Sequence, residues 1–384
     1  MSAGVWMPCV RRAATVVIVG RFQSWIVVGS ALQKEAKLYR RDRMASRRYH
    51  QIDLLRSVAC FMVVAFHYLY RGHLDGWIPF ASPMAVTETV KFGYLGVQLF
   101  FAISGFVIFL SAQGATPRAF AASRAARLYP AFWAAVALTT LVVHLGGLSS
   151  LVVPWRDVFL NLTMVAHWFK AEFVDWAYWS LAVEFHFYIM VWLLLRFDAM
   201  KHIKIIMSVW LLMSALNWLR PVYPVEFVLE VRWAPFFSVG ICAFLMRQGD
   251  RSKWVHALFS IASLLSLAYA YSDAKKALGF DHLDVVAVVL LSCSIPVLFW
   301  QISRERFEVS GGRVLYWAAT LTYPVYLLHE YIGYVLISRL SAAGVPGMLS
   351  ALAVFVGVLL LAYLVNTRVE RPLSVMIKRW VAGA

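Results

Sequence analysis

Long apolar runs separated by short polar segments make up most of this sequence. Runs long enough to cross about 30 Å of hydrocarbon as a helix fall at 52–70, 92–112, 129–147, 176–196, 203–219, 228–246, 255–271, 284–302, 314–337 and 348–367. No hydrophilic stretch between them is long enough to form a soluble domain. We therefore predict an all-α integral membrane protein, a single bundle of about ten transmembrane helices.

The basic residues give these helices an orientation. Of the 36 Lys and Arg residues, 23 fall on one side if the helices alternate in direction, and only nine fall on the other side. Cytoplasmic loops carry this excess of positive charge. We expect both termini to be cytoplasmic.

Composition narrows the class of protein. Hydrophobic residues form 61% of the chain, well above the 45 to 50% that is typical of soluble domains. The net charge of +16 could indicate nucleic-acid binding, but the charges occur in short clusters between apolar runs, as in membrane proteins. The four cysteines are scattered and contain no CxxC pair, so the sequence predicts neither a zinc site nor a disulfide framework.

The segment 1–43 does not fit the pattern of the rest. Its apolar run is interrupted by Arg21 and Gln23, which leaves each half too short to span a membrane. Three interpretations stand: a targeting segment, an interfacial helix, or synthesis that begins at Met44. We divide the chain into this extension, a membrane domain at 47–372 and a cytoplasmic tail at 373–384.

The first apolar run carries three ionisable residues, Asp53, Arg56 and His67. Charged groups at membrane depth are costly and mark functional sites by default. Arg56 and His67 are about three helical turns apart, so both project from one face, roughly 16 Å from each other, and Asp53 can pair with Arg56. The alternative is that Arg56 reaches the headgroups and His67 is an ordinary polar residue at the far interface.

Further polar residues occur in or beside other helices. Glu184 and Tyr188 share a face of the fourth helix, and Tyr326 and His329 belong to TYPVYLLHEY, where an aromatic belt is the competing interpretation. A cluster of arginines precedes the third helix. It either orients the protein or binds phosphate oxygens, and its members are Arg118, Arg124 and Arg127.

Together these motifs resemble acyltransferase family 3, the bacterial membrane O-acyltransferases. The resemblance is carried by IDLLR with Arg56 and His67, GVQLFFAISGF, RAARLYP, YWSLAVEFHFY and YPVYLLH, in this order. It implies that Arg56 and His67 are essential, with His67 as the base that activates an acceptor hydroxyl. It also implies that Arg124 and Arg127 hold acyl-coenzyme A, and that Glu184, Tyr326 and His329 belong to family motifs.

The resemblance thus implies an acyltransferase in the inner membrane of a bacterium that moves an acyl group, most simply acetyl, from acyl-coenzyme A to a hydroxyl group. His67, Arg56, Asp53 and Glu184 are the predicted catalytic residues, and no metal is expected. The resemblance implies a carbohydrate or lipid-linked glycan acceptor, such as lipopolysaccharide, and leaves room for a separate periplasmic partner. The competing interpretations are a transporter or flippase, since intramembrane charges also mark substrate pathways, and an envelope polysaccharide polymerase.

Overall fold

The computed structural model describes residues 49–277 and 281–382. The segment 1–43, Met44 and the basic cluster that follows it lie outside these residues. Within them every regular element is helical. We number the α-helices of at least seven residues in chain order: α1 His50–Phe66, α2 Met84–Val90, α3 Leu95–Ala112, α4 Pro117–Gly146, α5 Trp155–Asn161, α6 Tyr178–Arg196, α7 Ile203–Leu219, α8 Tyr223–Leu229, α9 Ala234–Arg247, α10 Lys253–Ser272, α11 His282–Ser303, α12 Arg313–Leu328, α13 Glu330–Ala342, α14 Gly347–Val365 and α15 Arg371–Ala382.

Nine helical segments in the described part of the chain are long and apolar enough to cross a membrane. They correspond to the predicted windows except for 314–337. In that window Pro324 lies inside α12, and the chain leaves the helix at His329 before α13 begins. Since proline removes one backbone hydrogen bond and crowds the preceding turn, this window forms two shorter helices instead of one span. The all-helical membrane bundle is confirmed, whereas the cytoplasmic termini stay a prediction.

The arginine segment before the third window, 129–147, belongs to the same helix as that window. Thr116 caps α4 by accepting a hydrogen bond from the Ala119 amide, and Pro117 occupies its first position. The helix then continues through Pro130 for 30 residues and ends at Gly147, which has a φ of 77°. Arg124 and Arg127 therefore lie three residues apart on one helical face.

Small residues allow the central helices to approach closely. A Cβ atom on Gly240 of α9 would overlap the carbonyl oxygen of Ala102, and one on Gly105 of α3 would overlap that of Phe237. Helix pairs in lipid rely on such backbone contacts because no hydrophobic effect drives them together. This α3–α9 contact, with α1 packed against α3 and α12, frames the interior of the bundle.

We expect Gly240→Ala to destabilise the protein by about 1 to 3 kcal/mol, since the added methyl group must displace the backbone of α3. Thermal unfolding in detergent would measure the effect. Gly357→Ala is the matched control, because no atom lies within 4 Å of a Cβ placed there in α14. Equal melting temperatures for the two variants would contradict this account of the contact.

Candidate active site

Two cavities lie on the path of α1 through the bundle. The first, which we call the arginine cavity, measures about 90 Å³ and is lined by Arg56, Arg124, Arg127, Glu184 and Tyr188, among others. The second, the histidine cavity, measures about 810 Å³ and is lined by His67 together with several aromatic side chains. Val97 and Tyr326 line both cavities. Arg56 and His67, which the sequence placed on one helical face, thus line separate but adjoining cavities.

Glu184 anchors the polar wall of the arginine cavity. Its carboxylate accepts hydrogen bonds from the hydroxyl groups of Ser104 and of Tyr188, the latter at 2.9 Å. Arg56 lies within electrostatic range of this carboxylate and of Arg127. The carboxylate therefore balances part of the positive charge that α1 and α4 bring into the cavity.

The two α4 arginines of the cavity are held differently. Arg127 Nη1 donates to Glu370 Oε1 at 2.6 Å, and its guanidinium group lies 5.2 Å from the ring centre of Tyr323. Arg124 lies 5.8 Å from the ring centre of Tyr188, and its Nε–H is buried without a hydrogen-bond partner in the described structure. A buried N–H group normally finds an acceptor. Arg124 therefore has a donor available for an incoming anion.

His67 follows α1 in a π-helical segment, His67–Arg71, and contacts a second histidine. His67 Nδ1 lies 3.0 Å from His329 Nε2 and also 3.0 Å from the Val63 carbonyl oxygen. His329 is fully buried behind it, and its Nδ1 lies 2.7 Å from the carbonyl oxygen of Tyr326. The break between α12 and α13 thus places His329 against the end of α1.

These contacts determine which ring nitrogens carry protons. A carbonyl oxygen only accepts, so His329 Nδ1 must be the protonated nitrogen that donates to Tyr326, and His329 Nε2 then has a free lone pair. His67 Nδ1–H donates to that lone pair and to Val63. In the neutral dyad, His67 Nε2 is therefore unprotonated and lines the histidine cavity. This is the arrangement that a general base requires.

A pair of carboxyl groups adjoins the dyad. Glu330 Oε1 lies 3.6 Å from His67 Nε2, and the Glu330 side chain is also next to Asp175. Asp175 is fully buried and accepts hydrogen bonds from the backbone amides of Ala177 and Tyr331, each at 3.0 Å. Burial raises the pKa of the Asp175 carboxyl to about 7, and the hydrogen bonds from Tyr331, Ala177 and Glu330 oppose this shift only in part.

His67, His329 and Glu330 also meet a geometric condition for a metal site, since one ligand atom from each lies within 4.8 Å of the others. The chemistry of the donor set is less suitable. His329 Nδ1 is engaged by a carbonyl oxygen, and its Nε2 receives the hydrogen bond from His67. A metal ion bound there would have to replace the contact that joins the two rings.

The remaining predicted residues, Tyr326, Asp53 and Arg118, differ in whether they line the two cavities. Tyr326 separates the cavities, with its hydroxyl group 2.6 Å from Ser180 Oγ. Asp53 is buried one turn before Arg56 but lines neither cavity, and its carboxylate lies 3.9 Å from His50 Nδ1. Arg118 is exposed in the first turn of α4 and lines neither cavity.

Sequence reasoning missed several residues of the site. Glu330 and Glu370 contact the predicted residues His67 and Arg127 from far away in the chain. Asp175 adjoins Glu330 and accepts a hydrogen bond from the Tyr331 amide. Only the tertiary fold brings these groups together. Some residues of the site lie in π-helical segments. The described chain contains three π-helical segments, and each supplies a residue to a cavity or to one of its arginines: His67–Arg71, Asp273–Ala277 and Asn366–Glu370. Such π-helical turns are rare and often occur at functional sites.

A family model described as an acyltransferase domain, Acyl_transf_3, matches residues 49–367. The chain belongs to this acyltransferase family. The comparison with curated proteins and the comparison with solved structures found no match. Membership and the apolar helices together identify a membrane acyltransferase, which favours group transfer over the transporter and polymerase interpretations. Both cavities of this acyltransferase lie within the matched range.

The raised pKa of Asp175 predicts a pH dependence of stability. An unfolded Asp has a pKa of about 3.9, so the folded protein binds this proton more tightly than the unfolded chain does. The stabilisation is complete below about pH 4 and is lost as the pH rises through about 7. We expect the melting temperature of the wild type, relative to Asp175→Asn, to fall between pH 5 and pH 8.

Thermal unfolding in detergent at several pH values would test this. Asp281→Asn is a control for general effects of removing a carboxylate, because Asp281 is an exposed N-cap of α11. If the difference between wild type and Asp175→Asn does not change with pH, the proton on Asp175 does not contribute as described.

Proposed function

We propose that this protein transfers an acyl group, most simply acetyl, from acyl-coenzyme A to a hydroxyl group of a carbohydrate or lipid-linked glycan of the bacterial cell envelope. The observation that carries the proposal is the pair of adjoining cavities, one lined by arginines and the other by a histidine base, with Tyr326 and Val97 in the wall between them. The excess of basic residues on the side of Arg124 and Arg127 supports a cytoplasmic donor entrance.

The donor half of the proposal assigns a phosphate-binding role to the α4 arginines. Guanidinium groups bind phosphate oxygens through paired hydrogen bonds, and Arg124 has an unused buried N–H. At about 90 Å³ the arginine cavity is well below the roughly 300 to 1,000 Å³ that is usual for ligand sites. Entry of the pantetheine arm therefore requires these helices to separate, and the Arg127–Glu370 ion pair is one contact that would have to open.

The chemical step follows from the tautomer of the dyad. His67 Nε2 takes the proton from the acceptor hydroxyl while that oxygen attacks the thioester carbonyl next to Tyr326. The resulting imidazolium keeps the Nδ1–H hydrogen bonds to His329 and Val63, and its new Nε2–H faces the carboxyl oxygen Oε1 of Glu330 at 3.6 Å. When the carbon–sulfur bond breaks, the thiolate takes the proton back from His67 Nε2. The products are the ester and free coenzyme A, and the histidine is regenerated.

We expect His67→Ala to lower the transfer rate by about 10²- to 10⁴-fold, because the general base is lost. Transfer of radiolabelled acetyl from acetyl-coenzyme A to glycans in membranes would measure this. His144→Ala is the matched control, since His144 also lies within a helix with Nδ1 2.8 Å from the carbonyl four residues earlier but lines neither cavity. Full transfer by a correctly inserted His67→Ala variant would reject the mechanism.

Arg127→Gln should raise the KM for acetyl-coenzyme A at least tenfold, since a charge-assisted hydrogen bond to phosphate contributes about 1.5 to 3 kcal/mol. The KM for the acceptor should stay within twofold of the wild type. Arg118→Gln is a comparison variant from the same helix, and its exposed position predicts a smaller effect. Initial-rate kinetics with both substrates varied would separate the two constants, and an unchanged donor KM in Arg127→Gln would remove Arg127 from the donor site.

A further inference from the structure

The histidine cavity has a second polar wall that the mechanism above does not use. Arg232, just before α9, donates through Nη2 to Oδ1 of Asp273, in the π-helical turn after α10, and both side chains line the cavity. Arg232 remains one-third exposed and lies 5.5 Å from the ring centre of Trp233. The pair is therefore accessible from the same space as His67 Nε2.

Aromatic rings cover much of the remaining surface. The rings of Trp179 and Trp233 lie 5.2 Å apart between their centres, and Trp77, Trp176 and Tyr331 also line the cavity. Such rings offer flat apolar surfaces with a polar edge. The C–H face of a pyranose ring is apolar and flat in the same way, whereas its hydroxyl groups need donors and acceptors in the ring plane.

The charges of the cavity compensate one another. Arg71 Nε donates to Asp75 at 2.7 Å, and Arg232 is paired with Asp273 and lies 3.8 Å from Glu226. The lining of the histidine cavity sets two arginines against the carboxyl groups of Asp75, Asp273 and Glu330, whereas the arginine cavity has three arginines and one carboxyl group. A phosphate or carboxylate ligand is favoured by such an excess of arginines, which the histidine cavity does not have. A site for an acyl chain alone would contain no ion pairs, because burying them there is costly. Paired charges beside aromatic rings favour an uncharged ligand with many hydroxyl groups.

We infer that the Arg232–Asp273 pair binds hydroxyl groups of an uncharged saccharide in the histidine cavity and thereby selects the acceptor. The inference rests on the proposed acyl transfer and adds the residues and the charge class of the acceptor. The carboxylate accepts hydrogen bonds from sugar hydroxyls and the guanidinium group donates to them, while the Trp179 and Trp233 rings pack against the sugar face. The cavity volume of about 810 Å³ is within the usual range for ligand sites.

The test uses the full-length protein in detergent with acetyl-coenzyme A and four uncharged saccharides: maltotriose, cellotriose, mannotriose and N,N′,N″-triacetylchitotriose. The variants are Asp273→Asn and Arg232→Gln. For the best acceptor we expect the acceptor KM to rise roughly tenfold or more in each variant, from the loss of hydrogen bonds to a charged group. The KM for acetyl-coenzyme A and the rate of thioester hydrolysis without saccharide should stay within twofold of the wild type.

The matched control is Asp250→Asn. Asp250 pairs with Lys204, their side chains are about as exposed as those of Arg232 and Asp273, and neither residue lines a cavity. It should leave both KM values unchanged. A second readout is charge selectivity. Asp273→Asn reduces the compensation of Arg232, so trigalacturonate should compete against the neutral acceptor more strongly than it does in the wild type, an effect that a purely structural role would not produce.

The outcomes distinguish a failure of the proposed acyl transfer to carbohydrate from a failure of the role given to the Arg232–Asp273 pair. If the wild type acetylates none of the saccharides, the proposed carbohydrate transfer is overturned, and this inference falls with it. If the wild type acetylates one of them but both variants keep its acceptor KM, the assignment of the pair alone is overturned. The same conclusion follows if donor and acceptor KM rise together, since that result indicates general damage to the fold.

Discussion

The hydrogen bond between His67 and His329 is the contact on which the rest of the site depends. It forms because two helices depart from regular geometry where they meet. The helix α1 continues into a π-helical segment at His67, and α12 ends at Leu328, just before His329. Each ring is also tied to a carbonyl oxygen of its own chain segment, Val63 or Tyr326. The backbone thus fixes both tautomers, and in the proposed mechanism His67 Nε2 needs no rearrangement before it accepts a proton.

Polar groups inside a membrane bundle are tolerated where they pair with one another or line a cavity. Both arrangements occur in this protein. The carboxylates of Glu184 and Glu370 partner hydroxyl groups or arginines at one end of the bundle, and Glu330 and Asp175 support the histidines further along. Tyr326 lies between the two groups. A thioester that reaches its ring from the arginine cavity would be close to the base without opening a continuous water path.

The apolar pattern predicted most of the fold. A helix in a membrane must form all its backbone hydrogen bonds within itself, so a long apolar run is a strong signal for such a helix. The same pattern could not reveal the break at His329. The apolar pattern also did not show that the arginine segment is helical. This segment is too polar to count as part of an apolar window, yet α4 runs through it and on past Pro130. The roles of Arg56 and His67 stay a prediction. Helical spacing placed both residues on one face, and it could not show that they line different cavities with Val97 and Tyr326 in the wall between them.

The partners of the predicted residues were beyond the sequence for a physical reason. In the sequence, Glu370 is followed by a basic segment, and nothing local marks it as a partner of an arginine. In the structure α15 packs against α4, and the π-helical turn Asn366–Glu370 directs the Glu370 carboxylate to Arg127. Asn366 holds the other carboxylate oxygen at 2.8 Å. An arginine held in this way is oriented before any phosphate arrives. In the proposed mechanism the donor phosphate, which carries more charge than a carboxylate, displaces Glu370 from Arg127, and donor binding thereby opens the ion pair that joins α4 to the end of the chain.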